Sequence, residues 1–274
     1  MTHRIAFIGA GNMAGALISG LIADGVPAAQ LIATDTSAEK CHALSTATGI
    51  LTLQDNQEAA SMADVVVLAV KPQVLKQVAL DLAEQIQLST PLVISIAAGI
   101  RCDSLQAWLG GQVALVRTMP NTPAMIQSGA TALYATAAVS DHQREQAESL
   151  MRAVGLTQWV ADESLLDAVT ALSGSGPAYY FLVMEAMEAA ARNMGLSAET
   201  ARLLTLQTAF GASRMALESS DPPATLRARV TSPGGTTERA LQTLEEGGIH
   251  NLFADALEAA RDRSIELSNE LGKA

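Results

Sequence analysis

Residues 4–14 read RIAFIGAGNMA, an apolar run followed at once by the pattern Gly-x-Gly-x-x-Ala. The apolar residues predict a buried strand over 4–8, and the glycines lead from it into a helix. Gly9 allows the tight turn, Gly11 lets the backbone approach a pyrophosphate, and Ala14 is small enough for close helix–strand packing. The free amides and the dipole at the start of that helix favour phosphate. At the first strand–helix junction of an alternating chain, this pattern predicts a dinucleotide site.

Strand-like and helix-like segments continue to alternate as far as residue 162. The further strands are near-continuous apolar runs at 31–34, 65–70, 92–96 and 113–118. Helices are predicted between them, at 13–23, 36–48, 73–85 and 103–109, and two weaker strand-like runs follow at 130–134 and 157–160. Continuous apolar strands are typical of a parallel sheet that is covered on both faces. The order therefore predicts right-handed βαβ units in a doubly wound Rossmann sheet.

After Asp162 the strand signal disappears. Helices are predicted at 178–194, 198–218, 222–230, 236–245 and 252–271. Residues 178–184 are apolar or aromatic at every position, which predicts burial on all sides, and helical regions of this kind often complete their core with a second subunit. We therefore predict an α/β protein with a dinucleotide-binding Rossmann domain at 1–162 and an all-helical dimerisation and substrate domain at 163–274.

The composition argues against several classes of function. The net charge is −11 with only 17 lysines and arginines, which disfavours nucleic acid and an anionic membrane surface as partners. No apolar run is long enough to span a bilayer, and no signal-peptide pattern is present. Cys41 and Cys102 lie far apart in no metal-type spacing and are expected to be reduced thiols. A cytoplasmic protein without a metal site is predicted.

Asp35 ends the second predicted strand, where a carboxylate commonly accepts hydrogen bonds from the adenosine ribose. Thr36 and Ser37 beside it are able to donate to a 2′-phosphate instead. Asp35 also fits as the N-cap of the following helix. The residues therefore predict NAD(H) or NADP(H) as the cofactor and leave the choice between the two open.

Two further segments follow predicted strands at their carboxyl ends, the edge at which such sheets bind ligands. Residues 69–72 (AVKP) are expected to contact the cofactor, mainly through their backbone. The alternative is that Pro72 only starts the next helix and Lys71 is a solvated end residue. Residues 95–99 (SIAAG) end the next strand with side chains small enough for a nicotinamide ring to approach the backbone.

The chain offers no obvious protein base for proton transfer. His3, His42, His142 and His250 lie outside the glycine-rich and proline-rich motifs, and Lys71 alone of the four lysines lies near the predicted cofactor edge. A hydroxy-acid substrate requires such a base. A C=N bond that is protonated from water needs only hydride, so an imine fits better.

Residues 232–237 (SPGGTT) lead into a helix and combine several backbone amides with three hydroxyls. Together with the positive end of the helix dipole, they form a carboxylate-binding nest that uses no cationic side chain. A plain N-capping turn explains the same residues equally well.

Taken together, these motifs resemble the pyrroline-5-carboxylate reductase family over nearly the whole chain. The segments that carry the resemblance are FIGAGNMA (7–14), AVKP (69–72), SIAAG (95–99), MPNTP (119–123), SGSGPAY (173–179) and VTSPGGTT (230–237). The resemblance implies reduction of L-1-pyrroline-5-carboxylate to L-proline with NADPH or NADH, the last step of proline synthesis. It also implies an interlocked homodimer, often assembled into a ring of dimers.

The family pattern further implies roles for single residues. Cofactor contacts align with Asn12, Met13, Thr36, Asn56, Lys71 and Ala97. Contacts to the substrate carboxylate and ring nitrogen align with Ser232, Gly235, Thr236 and Thr237, with Thr237 orienting the imine nitrogen. The 173–179 motif, including Ser175, helps to shape the pocket at the dimer interface. The predicted cofactor set is completed by Gly9, Gly11, Ala14, Asp35, Ala69, Val70 and Pro72, and the substrate set by Gly234.

Two other functions fit part of the pattern. An enzyme of the 3-hydroxyacid dehydrogenase type shares the two-part layout, but it would need Lys71 or another base. A non-catalytic regulator that binds NAD(P) belongs to a different class of protein. The intact 232–237 motif disfavours a regulator, because a sensor of cofactor alone needs no second anion site.

Overall fold

The computed structural model describes residues 3–273, in which strands and helices alternate as far as Trp159 and helices follow. The strands are β1 (Ile5–Ile8), β2 (Leu31–Thr34), β3 (Leu51–Leu53), β4 (Val65–Leu68), β5 (Leu92–Ser95), β6 (Leu115–Met119), β7 (Gly129–Ala135) and β8 (Gly155–Trp159). The first helices are α1 (Asn12–Ala23), α2 (Ala38–Thr48), α3 (Asn56–Ser61), α4 (Pro72–Ser89), α5 (Cys102–Trp108), α6 (Asp141–Arg152) and α7 (Leu165–Val169). The later ones are α8 (Gly176–Asn193), α9 (Ala198–Glu218), α10 (Pro223–Arg229), α11 (Thr236–Glu246) and α12 (Ile249–Lys273).

The eight strands form one sheet in the order β3-β2-β1-β4-β5-β6-β7-β8. Neighbouring strands are parallel except β6 and β7, and Ile5 of the central strand pairs with Leu31 on one side and Val65 on the other. A parallel return needs a crossover of about a dozen residues or more. The segment 120–128 is shorter than that and contains only a 3₁₀ turn, so β7 runs antiparallel to β6.

Helices cover both faces of the sheet, which confirms the predicted doubly wound arrangement. On one face, Leu75 and Leu82 of α4 pack with the strands, and Leu17 and Leu150 of α1 and α6 pack on the other. Every residue of β2, β4 and β5 is buried, as the continuous apolar runs predicted.

Four of these strands and helices were not predicted from the sequence: β3, α3, α6 and the five-residue α7. Strand β3 has only three residues, and its Leu51 remains exposed, so it carries almost no apolar pattern. Helix α3 has six residues and follows its N-cap Asp55 directly. Helix α6 is strongly polar and buries only three residues, but Ser140 and Gln143 form a complete capping box at its start.

Contacts divide the chain into two compact units. The first unit consists of the residues up to Ser175 together with those from Ala259 onward. The second unit is Gly176–Glu258. The predicted domain boundary between residues 162 and 163 stays a prediction, and the division into units falls later along the chain. Within residues 3–273, no helix combines the length and the apolar content needed to cross a bilayer.

The second unit exposes much of its apolar surface in a single subunit. Tyr180, Phe181 and Leu182 of α8 are 66%, 64% and 65% exposed, and Phe210 of α9 is 60% exposed. The prediction that residues 178–184 are buried on all sides is therefore wrong for one subunit alone. A patch this large on one protein marks a surface that another chain covers.

Candidate active site

A cavity of about 350 Å³ lies in the first unit, at the carboxyl ends of β1, β2 and β4. Most of the predicted cofactor residues line it: Gly9, Gly11, Asp35, Thr36, Asn56, Ala69, Val70 and Lys71. Residues more than sixty positions apart in sequence thus meet at one edge of the sheet. In a doubly wound fold, this edge is where nucleotides bind.

Gly9 is required by the backbone around it. Its φ is +106°, and a Cβ at this position would lie 2.8 Å from the carbonyl oxygen of Ala69. Its amide donates to the carbonyl oxygen of Thr34 at 2.9 Å. Gly9 therefore allows the loop after β1 to pass between the ends of β2 and β4.

Gly11, the N-cap of α1, has a different reason to be glycine. Its φ of −77° suits any residue, and an added Cβ would meet no protein atom within 4 Å. The backbone of Gly11 therefore borders the open cavity and not the packed interior. Together with the free amides at the start of α1, this cradle fits a pyrophosphate held close to the backbone.

Gly11→Ala is expected to fold normally and to bind NAD(P)H at least about tenfold more weakly, because the methyl group would occupy the space beside the pyrophosphate. Thermal unfolding and a fluorescence titration with NADPH and NADH measure the two effects separately. Gly9→Ala is the comparison variant and should also unfold at a lower temperature, since its Cβ collides with Ala69. Undiminished affinity in a folded Gly11→Ala variant would contradict this assignment.

Asp35 ties the glycine-rich loop to the end of β2. One carboxylate oxygen accepts from the Ala10 amide at 3.2 Å, and the other accepts from the Ser37 amide at 2.9 Å. The N-cap of α2 is Ser37, whose hydroxyl accepts from the Lys40 amide, so the alternative of Asp35 as the N-cap is wrong. The Lys40 ammonium lies 3.5 Å from the Asp35 carboxylate.

The Asp35 carboxylate is held in its ionised form. Burial raises its pKa, but the hydrogen bonds from the Ser37 and Ala10 amides and the charge of Lys40 outweigh burial, and the pKa lies below its ordinary value. The cavity wall therefore carries a fixed negative charge at Asp35, with the exposed Lys40 side chain beside it.

The remaining walls combine polar and apolar groups. The Thr34 hydroxyl donates to the Asn56 side-chain oxygen at 2.6 Å and so fixes Asn56 at the start of α3. Val74 and Val78 lie one helical turn apart on α4 and add an apolar wall, while Lys71 is the exposed residue before that helix. This set offers an apolar surface, amide donors and two lysines to a dinucleotide.

The other predicted cofactor residues do not line this cavity. Asn12 and Met13 begin α1, and Ala14 is buried among the core residues between that helix and the sheet. Pro72 is the first residue of α4. Ala97 is 4% exposed, and its amide lies 3.4 Å from the Ser95 hydroxyl.

In the second unit, residues 232–237 form the turn that opens α11, with Gly235 as the N-cap and Thr236 and Thr237 as the first helical residues. Among residues 3–273, the amides of Thr236 and Thr237 and the three hydroxyls of Ser232, Thr236 and Thr237 make no hydrogen bond. Five donors at the positive end of an eleven-residue helix thus remain available to an anion.

Two amides of the same turn are already used. The Gly235 amide donates to the Ser232 carbonyl oxygen at 3.0 Å, and the Gly234 amide donates to the Glu238 carboxylate at 2.8 Å. Gly234 has a φ of +69°, which bends the turn back onto the helix. Of the predicted substrate residues here, Gly234 and Gly235 therefore shape the turn, while Thr236 and Thr237 keep free amides.

Ser175, the remaining predicted substrate residue, ends a π turn that follows α7 in the first unit. The turn spans Thr170–Gly174, and the Ser175 amide closes it on the Thr170 carbonyl oxygen at 2.8 Å. Both Ser173 and Ser175 are half-buried. π turns are frequent at functional sites, so this placement agrees with a role for the segment.

Known proteins resemble the chain over its full length. It is 54% identical to a pyrroline-5-carboxylate reductase of Pseudomonas aeruginosa, with 99% of both chains covered. The chain belongs to the pyrroline-5-carboxylate reductase family. A relative from Vibrio alginolyticus with the same name is 46% identical and covers 97% of this chain and 98% of its own.

Family models and solved structures agree with the two-part organisation of this reductase family member. Residues 163–267 match pyrroline-5-carboxylate reductase dimerisation, and residues 4–99 match NADP oxidoreductase, coenzyme F420-dependent. A pyrroline-5-carboxylate reductase from Coxiella burnetii superimposes with a TM-score of 0.95 at 48% identity, covering 98% of this chain and 99% of its own. A Plasmodium falciparum enzyme with NADP bound gives 0.86 at 28% identity, with 97% and 98% covered.

Sequence reasoning missed four residues of the cavity wall: Thr34, Lys40, Val74 and Val78. Thr34 ends an apolar strand, and the two valines have the spacing of one helix face, so the pattern favoured a core role for all three. Lys40 follows Asp35 by little more than one helical turn. A cation so soon after the end of β2 could have been predicted to line the site.

Proposed function

We propose that this chain reduces L-1-pyrroline-5-carboxylate to L-proline with NADPH or NADH, as the final step of proline biosynthesis. The observation that carries the proposal is the pair of sites in a chain of this family. A cavity suited to a dinucleotide lies in the first unit, and a turn with free donors for a carboxylate lies in the second. When bound, the reduced nicotinamide supplies the hydride that the imine carbon accepts.

In this proposal the first unit binds and orients the cofactor. The backbone at Gly9–Ala14 receives the pyrophosphate at the start of α1, and Asp35, Thr36 and Lys40 surround the adenosine end. Lys71 faces the cofactor from the end of β4, and Asn56 is held at the wall by Thr34. Asn12, Met13 and Pro72 belong to this proposed set as neighbours of the cavity residues in sequence. Ala97 belongs to it because it follows β5, the strand beside β4.

The second unit anchors the substrate carboxylate on the turn at 232–237. The amides of Thr236 and Thr237 and the Ser232 hydroxyl are the proposed donors to the carboxylate. The Thr237 hydroxyl, half-buried and without a partner among residues 3–273, is proposed to hold the ring nitrogen. Orientation of two ligands and stabilisation of the iminium are sufficient for this reaction, because the imine takes its proton from water.

The direct test is the decay of nicotinamide absorbance when pyrroline-5-carboxylate is added to the purified protein with NADPH or NADH. We expect rapid oxidation of the cofactor and formation of proline. The control supplies 3-hydroxy acids with oxidised cofactor, which should give no reaction. Reduction of NAD(P)⁺ by a hydroxy acid, with no turnover of the imine, would favour the dehydrogenase alternative instead.

Asp35→Ser is expected to shift the preference toward NADPH by ~1–2 kcal/mol, about tenfold in the ratio of kcat/KM values. The change removes a negative charge next to the proposed 2′-phosphate position and releases Lys40, now 3.5 Å from that carboxylate. Both cofactors should also bind more weakly, because the Ala10 amide loses its acceptor. Steady-state kinetics with each cofactor measure the ratio.

Asp64→Ser is the control for this variant, since the Asp64 carboxylate also accepts a backbone amide, that of Arg4, at 2.9 Å. It lies outside the cavity wall and should leave the NADPH to NADH ratio unchanged. An unchanged ratio in Asp35→Ser as well would mean that Asp35 only holds the backbone at Ala10 and Ser37 and does not discriminate between the cofactors.

The assembly and location follow from the same proposal. The residues that match pyrroline-5-carboxylate reductase dimerisation include the exposed apolar helices α8 and α9. We propose that these helices pair with those of a second copy and that the dimers then assemble into a ring.

Cys41 and Cys102 are buried and free, and burial raises the pKa of the Cys102 thiol, so it stays protonated. Two buried thiols that form no disulfide fit the proposed cytoplasmic location.

A further inference from the structure

The side-chain amide of Asn121 joins the start of β7 to the π turn that precedes α8. Its nitrogen donates to the Ser173 carbonyl oxygen at 3.2 Å and to the Ser173 hydroxyl at 3.3 Å. Its oxygen accepts from the Ala130 amide at 2.9 Å. The nitrogen faces a carbonyl oxygen, which can only accept, and the oxygen faces a backbone amide, which can only donate. The Asn121 side-chain amide therefore fits in only one of its two flipped orientations.

The turn that Asn121 contacts is of an uncommon type. It is a π turn over Thr170–Gly174, and the Thr170 hydroxyl donates to the Leu166 carbonyl oxygen at 2.7 Å at its start. Single π turns inside helical segments are uncommon and concentrate at functional sites. The hydrogen bonds from Asn121 are the contacts from outside the turn that fix the backbone and hydroxyl of Ser173.

Met119 supplies a second contact to the same turn. A Cβ on Gly174 would lie 2.5 Å from the Met119 methyl carbon, so the side chain of Met119 fills the space that the glycine leaves. Met119 and Asn121 belong to one motif, MPNTP, and Ser173 and Gly174 belong to another, SGSGPAY. The first motif thus packs against the second and fixes its backbone.

We propose that Asn121 is a positioning residue for the imine substrate. Its amide holds the Ser173–Ser175 turn and thereby keeps the half-buried Ser175 hydroxyl at the substrate. This inference rests on the proposed function and on the predicted place of Ser175 among the residues that contact the substrate. Asn121 itself touches neither ligand and acts through the turn.

Asn121→Asp and Ser173→Ala test the proposal. The aspartate retains an oxygen for the Ala130 amide but replaces the donor to Ser173 by a second oxygen. We expect kcat/KM for pyrroline-5-carboxylate to fall about tenfold in Asn121→Asp and about threefold in Ser173→Ala, because the turn is no longer fixed. The dissociation constants of NADPH and NADH should stay within about twofold of the wild type, since the cofactor cavity is untouched.

Gln87→Ala is the matched control, because the Gln87 amide also donates to a distant backbone carbonyl, that of Leu109, at 2.9 Å. It should lower the unfolding temperature without changing kcat/KM. The double variant Asn121→Asp/Ser173→Ala should be no slower than Asn121→Asp alone, since both changes break one connection.

Wild-type kcat/KM in a folded Asn121→Asp variant, or fully additive losses in the double variant, would overturn the proposal. If Asn121→Asp does not fold, Ser173→Ala decides, and unchanged kinetics there count against it. A wild-type protein that does not reduce the imine would refute the proposed function itself, an outcome separate from wild-type-like variants of an active enzyme.

Discussion

Leu182→Asp is expected to yield a folded monomer without measurable activity. Leu182 lies on α8, within the residues that match pyrroline-5-carboxylate reductase dimerisation, and is 65% exposed in one subunit beside Phe181 and Tyr180. If a second copy covers this apolar surface, the carboxylate would be buried without a partner. An unpaired buried charge costs several kcal/mol, enough to dissociate most dimers.

Sedimentation velocity and the reductase assay, run at the same protein concentration, measure the two losses together. Leu88→Asp is the control: Leu88 is 75% exposed on α4 and lies outside the matched region, so assembly and activity should not change. A fully active monomeric wild type, or a Leu182→Asp variant that remains an active dimer, would show that this surface is not the interface.

Thr237→Val should lower kcat/KM for the imine by roughly 10- to 100-fold, equivalent to ~1.4–2.7 kcal/mol. Valine keeps the shape of the side chain and removes only the hydroxyl, which has no partner among residues 3–273. The affinity for NAD(P)H should remain nearly constant, because the proposed cofactor residues belong to the first unit. Some activity should survive, since no covalent step and no obligatory protein base are involved.

Thr243→Val on the same helix is the control for this change. Its hydroxyl donates to the Arg239 carbonyl oxygen at 3.1 Å, so the variant loses a hydroxyl without touching the 232–237 turn. If Thr237→Val has wild-type kinetics, the turn binds only the substrate carboxylate, and the Thr237 hydroxyl does not hold the ring nitrogen. Complete inactivity with the fold intact would mean that Thr237 does more than orient the imine.

The fold and part of the cofactor site followed from local sequence patterns. The run at 4–8 and the glycines after it determine a strand, a tight turn and a helix, because continuous apolar residues need burial on both faces and only glycine accepts the φ of Gly9. Alternation of such strands with helices then predicts a parallel, doubly wound sheet, and that sheet brings Gly9, Asp35 and Ala69 to the same edge.

The second half was less fully determined. The SPGGTT turn and the helix after it were predicted from proline, glycine and hydroxyl residues, but nothing local shows that the Glu238 carboxylate takes the Gly234 amide. Helix α6 was not predicted because its sequence is polar and only Ala147, Leu150 and Met151 are buried. So few buried residues can be recognised as a helix face only when the surface that they pack against is known.

The sequence by itself therefore determined the alternation of the main strands and helices, the helical character of the later part, the dinucleotide-binding loop and the family to which the motifs belong. These features depend on residues that are neighbours in the chain, where burial pattern and backbone conformation act directly. Tertiary structure alone decided the antiparallel turn into β7, the Asp35 bridge to Ala10 and the Asn121 contact with Ser173. Such contacts join residues far apart in sequence, and hydrogen bonds between them require a geometry that only the packed sheet provides.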